Sequence, residues 1–130
     1  MTPRFCPLQP HRDFVALMQA GRVHAYLTYP FVLSWSLLEA MAAGAPIVVS
    51  RMPPVEEAIE DGVSGRLVGF FDVSGWSAAL TGALANPQAR HPLAQAARQR
   101  VVERYDLSVC LPEWIGFVER QGPGAGGACP

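Results

Sequence analysis

Lysine is absent from this chain of 130 residues, and all ten basic residues are arginines. The net charge is −1 at pH 7, and the arginines are scattered along the chain without forming a basic block. Nucleic acids and anionic membrane surfaces bind chiefly to clustered basic side chains, so we expect neither as the main partner. Any chemistry that requires a lysine ammonium group cannot be supplied by these residues.

Cysteine and long apolar runs are also scarce. The three cysteines, Cys6, Cys110 and Cys129, are widely spaced without a Cys-x-x-Cys pair, and the three histidines are equally scattered. We therefore expect reduced or buried thiols, and neither a metal site nor a metal cofactor. Apolar runs fall far short of the ~20 residues that cross a bilayer, and the N-terminus has no apolar core of a secretory signal. These absences predict a cytoplasmic protein without a transmembrane segment.

Helical and strand patterns alternate along the chain. Strands are predicted at 23–27, 46–50 and 66–68, and the middle one is short, rich in β-branched residues and apolar over 46–49, which is typical of a parallel strand covered on both faces. Helices are predicted at 13–20, 34–43, 55–60, 75–85, 87–104 and 107–120. This order predicts an α/β fold, namely a partial Rossmann-like parallel sheet with helices on both faces.

Helix-capping residues, prolines and a glycine-rich tail indicate where the helices and the domain end. Ser74 is the expected cap of the fourth helix, and Pro112 is expected to interrupt or cap the last one. Residues 1–121 form the predicted domain, and the Gly/Pro/Ala-rich tail at 122–130 is expected to be disordered.

A candidate anion site follows the first predicted strand. Open α/β sheets bind ligands beyond the carboxyl ends of their strands, and here the loop 29–33 leads into the helix that begins at Ser34. The first amides of that helix, on Ser34, Trp35 and Ser36, are expected to lack partners within the helix and to seat a phosphate. The alternative is that Ser34 serves only as a helix cap.

Glu39 lies in the same helix among apolar or small neighbours, Leu37, Leu38, Ala40 and Met41. A carboxylate in that setting is either buried and paired or directed at a ligand, and two ribose hydroxyls are suitable donors to it. The alternative is an ordinary carboxylate on the solvated side of the helix.

Two segments carry a family resemblance. The run SLLEAMAAGAPIVVS at 36–50 closely resembles the donor-site segment of retaining GT-B glycosyltransferases of family 4. The run PVEEAIEDGVSGRLV at 54–68 looks like that family's Pro-Glu-Val-Ile-x-Asp-Gly-x-x-Gly-x-Leu-Val segment, and Tyr105-Asp106 matches a pair that is common after its penultimate helix. The resemblance covers roughly residues 13–120 and implies the C-terminal, donor-binding half of a GT-B enzyme.

The resemblance also implies roles for individual residues. Such an enzyme transfers a sugar from a nucleotide-diphosphate sugar to an acceptor with retention of configuration, and no metal is expected. Glu39 matches the second glutamate of the family's Glu-x7-Glu motif, which holds the nucleotide ribose. The amides of Ser34, Trp35 and Ser36 fall where the family seats the donor diphosphate. The implied partners are the nucleotide-sugar donor and an N-terminal acceptor domain.

The chain departs from the family pattern in two ways. Phe31 stands where the first motif glutamate would contact the donor sugar, so that contact is in doubt. The Arg and Lys that bind the donor phosphates, and the acceptor domain itself, lie upstream in the family. We therefore expect no catalytic residue here, no sugar transfer by this chain alone, and self-association through an exposed sheet edge.

Other interpretations stay open. One is a non-catalytic truncated fragment of such an enzyme. Another is a small α/β interaction module of the receiver type, although acidic residues after the first strand and a late lysine are missing. A dinucleotide-binding dehydrogenase would require Gly-x-Gly-x-x-Gly between a strand and a helix, which is also missing.

Overall fold

A computed structural model describes residues 7–29 and 32–121. These residues contain three strands, β1 (His24–Tyr26), β2 (Ile47–Ser50) and β3 (Arg66–Val68), which form one sheet in the order β1-β2-β3. Both pairings are parallel, with Ala25 opposite Val48 and Val49 opposite Leu67. The predicted α/β fold with a parallel sheet is thereby confirmed.

Six helices alternate with or follow these strands in the described part of the chain. They are α1 (His11–Ala20), α2 (Trp35–Ala42), α3 (Pro53–Ala58), α4 (Val73–Ala85), α5 (Pro87–Tyr105) and α6 (Leu107–Arg120). Helix α2 packs against α5, and α4 packs against β2 and β3. The predicted helices are all present, with ends that differ by at most two residues.

Strand β2 is the centre of the core. All four of its residues are buried, and because successive side chains point to opposite faces of a strand, both faces of the sheet are covered here. Leu37, Met41 and Val55 pack into the same apolar cluster. Burial of each such side chain contributes roughly 1.5–3 kcal/mol to folding.

The connection from α2 to β2 depends on a glycine. Gly44 has a φ of 76°, in the left-handed region that favours glycine, and its amide donates to Met41 O at 3.0 Å. This conformation ends α2 and turns the chain into the buried strand.

Two boundary predictions were wrong. Helix α4 is capped by Asp72 and not by Ser74, because the Asp72 carboxylate accepts from both Gly75 N and the Ser74 hydroxyl at 2.8 Å. Helix α6 continues through Pro112. The proline removes the hydrogen bond to the carbonyl of Ser108, but Ser108 is exposed, so water can solvate that oxygen.

Some sequence predictions fall on residues that the structure does not describe. The tail at 122–130, Phe31, Cys6 and Cys129 lie outside the described residues. Cys110 is a partly buried free thiol whose Sγ donates to Arg104 O at 3.3 Å. None of the helices in the described segments combines the length and hydropathy needed to cross a membrane.

Candidate functional site

The candidate anion site is the start of α2, which follows the carboxyl end of β1. Ser34 is the N-cap in an extended conformation, and its hydroxyl accepts from Ser36 N at 3.3 Å. The Ser34 carbonyl accepts from Leu37 N at 3.1 Å. The expectation that the Ser36 amide lacks an internal partner was therefore wrong, because the capping hydroxyl occupies it.

Two amides and two hydroxyls still face this end of the helix. Within residues 7–29 and 32–121, the amides of Ser34 and Trp35 donate to no acceptor. The hydroxyls of Ser34 and Ser36 bond to each other at 2.9 Å. Trp35, the first helical residue, has a side chain that is 84% exposed, so this surface is accessible. Free amides and the positive end of the helix dipole together favour an anion.

Glu39 contacts a side chain on another helix. Its Oε1 lies 3.0 Å from Nε2 of His11, the first residue of α1, and its side chain is 38% exposed. Leu37, Ala40 and Met41 beside it are buried in the core. Glu39 thus lies at the margin of the core, paired with a histidine that the sequence did not single out.

Helix α1 places this pair toward the carboxyl ends of the strands. Only residues 21–23 join the end of α1 to β1. Gln19 and Gly21 line a cleft together with Pro46, which directly precedes β2, so α1 ends near the amino ends of the strands. Ten helical residues span about 15 Å, and His11 therefore lies toward the carboxyl ends.

Ser50 fixes the loop that leaves β1. Its side chain is fully buried at the end of β2, donates to Thr28 O at 2.8 Å and accepts from Thr28 N at 2.9 Å. Tyr29, the next residue, packs edge-to-face on Phe70 with ring centroids 5.3 Å apart. The carboxyl ends of the three strands are thus tied together. A serine that closes an otherwise apolar strand was the signal for this anchor, and the sequence reasoning did not use it.

Arg51 is already engaged by carboxylates. Its guanidinium donates to Glu56 at 3.0 Å and to Asp61 at 2.6 Å, and these hydrogen bonds raise the pKa of Arg51 above its ordinary value. Partial burial raises the pKa of Asp61, but hydrogen bonds from Leu67 N and Arg51 outweigh it and leave that pKa lowered. Arg51 thus serves this network, where two carboxylates balance its charge.

Two further features lie away from the start of α2. A cleft of about 630 Å³ is bounded by β3, α4 and α5, and none of its lining residues belongs to α1 or α2. On β1, burial lowers the pKa of His24, whose Nε2 is enclosed without a hydrogen-bond partner in the described structure.

No group of three His, Cys, Asp or Glu that could hold a metal occurs among the described residues.

Sequence comparison identifies relatives of known activity. The chain is 34% identical over 96 residues to D-inositol 3-phosphate glycosyltransferase of Saccharomonospora viridis, covering 74% of this chain and 22% of that protein. It is 44% identical over 73 residues to phosphatidyl-myo-inositol mannosyltransferase of Mycolicibacterium smegmatis, covering 56% and 19%. The chain thus spans about a fifth of the length of these relatives.

Solved structures share the fold. Sucrose-phosphate synthase from Thermosynechococcus elongatus superposes with a TM-score of 0.82 at 23% identity, over 91% of this chain and 29% of that one. HepE of Anabaena, solved with UDP, gives a TM-score of 0.75 at 22% identity, over 79% and 29%. These neighbours are GT-B glycosyltransferases, so the described residues form part of a Rossmann-like GT-B unit.

The family itself is shown by a model that covers most of the chain. The model described as "Glycosyl transferases group 1" matches residues 4–100, which contain the whole sheet and helices α1 to α4. The chain therefore belongs to the glycosyl transferases group 1, a family of enzymes that transfer sugars.

Proposed function

We propose that this chain carries part of the donor-binding half of a retaining glycosyltransferase, which transfers a sugar from a nucleotide-diphosphate sugar to an acceptor. The observation that carries the proposal is the start of α2. Its first amides, on Ser34 and Trp35, donate to no acceptor among the described residues, and it is the element that follows β1 along the chain, with Glu39 further along the same helix. Family membership supplies the reaction class.

The donor diphosphate would lie against the amides of Ser34 and Trp35. Each amide contributes a donor, and the helix dipole adds a positive partial charge. The Ser34 and Ser36 hydroxyls, now bonded to each other, can turn to donate to phosphate oxygens. The HepE structures with UDP and with UDP-glucose support a nucleotide sugar as the ligand class.

Glu39 would accept hydrogen bonds from the ribose hydroxyls. Its side chain is accessible, and a carboxylate can accept two hydroxyls at once. Phe31 occupies the motif position at which the family contacts the donor sugar, and a phenyl ring cannot accept hydroxyl hydrogen bonds as a carboxylate does. We propose no cofactor and no metal for donor binding.

Charge neutralisation of the diphosphate has to come from elsewhere. The chain contains no lysine, and Arg51, which follows β2, is held by Glu56 and Asp61. A leaving phosphate needs cations directed at its developing charge, so we propose that other parts of the complete enzyme supply them together with the acceptor site. A cytoplasmic location stays a prediction from the sequence.

The test is nucleotide binding by the full natural protein that contains this sequence. UDP, GDP and ADP are titrated by calorimetry into the wild-type protein and into Glu39→Gln. Loss of a hydrogen bond to a charged group costs about 1.5–3 kcal/mol, so the affinity should fall about 10- to 100-fold.

Glu57→Gln is the matched control, because Glu57 is an exposed glutamate on α3 whose backbone carbonyl, not its side chain, makes the contact to Arg100. Its affinity should equal the wild-type value. Equal affinities for all three proteins, or no binding of any nucleotide, would contradict the proposal.

A further inference from the structure

His11 and Glu39 form an accessible pair between two helices. They are 28 residues apart in sequence, and the Nε2–Oε1 distance is 3.0 Å. The His11 side chain is 73% exposed and that of Glu39 is 38% exposed. Exposed pairs of this kind contribute little to the stability of a fold, so folding alone does not account for it.

We propose that His11 is a positioning residue, which holds the Glu39 carboxylate in the orientation that accepts the hydroxyls of a nucleotide ribose. This inference rests on the proposed function, since it requires a ribose at Glu39. The sequence resemblance assigns no role to His11.

The location of the pair supports a role toward the ligand. His11 is the first residue of α1, and α1 runs from the carboxyl-end side of the sheet to a C-terminus near Pro46. The hydrogen bond to His11 therefore holds the Glu39 carboxylate on the side of the sheet where α2 begins. Ligands of open α/β sheets bind on that side.

The hydrogen-bond inventory leaves room for a ligand. Only Oε1 of Glu39 has a partner among the described residues, and Oε2 has none. Each carboxylate oxygen has two lone pairs, so both can still accept from a pair of neighbouring hydroxyls. A free glutamate side chain samples several rotamers, and the bond to His11 restricts them before the ligand arrives.

The test compares ribose and deoxyribose ligands on the full natural protein that contains this sequence. The probes are UDP, GDP and ADP and their 2′,3′-dideoxy counterparts, and the measured quantity is the dissociation constant. His11→Phe removes the donor while keeping a ring beside Phe14, whose centroid is 6.4 Å away. His11→Gln keeps an N–H donor. His91→Phe, on α5 beside the cleft at the amino ends of the strands, is the matched control.

We expect His11→Phe to weaken binding of the preferred ribose nucleotide about fivefold, within the range of directly coupled side chains. Binding of the dideoxy analogue should not change, because its sugar lacks the 2′ and 3′ hydroxyls that Glu39 would accept. His11→Gln should recover most of the loss, and His91→Phe should match the wild type. In the Glu39→Gln background, His11→Phe should have no further effect.

The failures are distinguishable. If Glu39→Gln weakens binding and His11→Phe does not, the positioning role is overturned and the proposed function stands. If His11→Phe weakens ribose and dideoxy ligands equally, His11 is only structural and the inference is likewise overturned. If the wild-type protein binds none of the nucleotides, the proposed function fails and the inference fails with it.

Discussion

Replacement of Ser50 by alanine tests how the loop after β1 is held. The Ser50 hydroxyl is fully buried and makes two hydrogen bonds, to Thr28 O at 2.8 Å and from Thr28 N at 2.9 Å. Ser50→Ala removes both and leaves the two backbone groups of Thr28 without these partners. Because Thr28 leads directly into the loop 29–33, the damage is local to the candidate site.

The expected loss of stability follows from the two bonds. Each neutral hydrogen bond contributes about 0.5–1.5 kcal/mol net, so the pair accounts for about 1–3 kcal/mol. Thr28 is only partly buried, and water can solvate it in the variant. We therefore expect about 2 kcal/mol, which lowers the melting temperature by roughly 6–10 °C in a domain of this size.

Urea unfolding followed by circular dichroism measures this loss, and amide hydrogen exchange at Thr28 locates it. Ser64→Ala is the matched control, because Ser64 is also buried but its hydroxyl makes one hydrogen bond within the described residues, which it accepts from Glu60 N at 2.9 Å. The control should lose about half as much, about 1 kcal/mol. Equal losses in the two variants, or unchanged exchange at Thr28, would refute the reasoning.

Three further predictions concern titration, an ion-pair network and activity. Burial lowers the pKa of His24 below 6.5, so the unfolded chain takes up a proton first and stability falls as pH decreases through 6.5. Urea titrations at several pH values should show this slope in the wild type and not in His24→Phe; equal slopes would exclude His24 as the source. Asp61→Asn removes the ion pair with Arg51 and should lower the midpoint of urea unfolding, and the decrease should be smaller in an Arg51→Met background, where only the bond from Leu67 N and the ion pair with Arg66 are affected; an equal decrease in the two backgrounds would contradict the coupling. The 130-residue chain alone should transfer no sugar from uridine, guanosine or adenosine diphosphate sugars, and should associate in sedimentation runs as concentration rises; turnover by a stable monomer would contradict this.

The sheet could be predicted because its signals are local. Strand β2 is a short apolar run between Gly44 and Arg51, and a strand buried on both faces requires such a run. The order of strands and helices then leaves a parallel sheet as the consistent arrangement. The start of α2 at Ser34 was equally readable from its capping serine.

The features that the sequence did not predict depend on side-chain contacts, which the spacing of residues along the chain does not reveal. The pairing of His11 with Glu39 results from the way α1 packs on α2, across 28 residues of sequence. Asp72 displaced Ser74 as the cap of α4 because its carboxylate, two residues earlier, accepts from both Gly75 N and the Ser74 hydroxyl, and both residue types are good caps. The occupied amide of Ser36 follows from the rotamer of the Ser34 hydroxyl, which sequence does not specify.

The proposed donor site can be located directly with tryptophan labels. The chain contains three tryptophans, Trp35 at the start of α2, Trp76 on α4 beside β3, and Trp114 on α6. The full natural protein that contains this sequence is labelled with ¹⁵N-tryptophan. The backbone amide signal of Trp35 should shift on titration with UDP, GDP or ADP, while the signals of Trp76 and Trp114 stay in place. A shift of Trp76 alone, or no shift at any concentration of the three nucleotides, would contradict a diphosphate site at the start of α2.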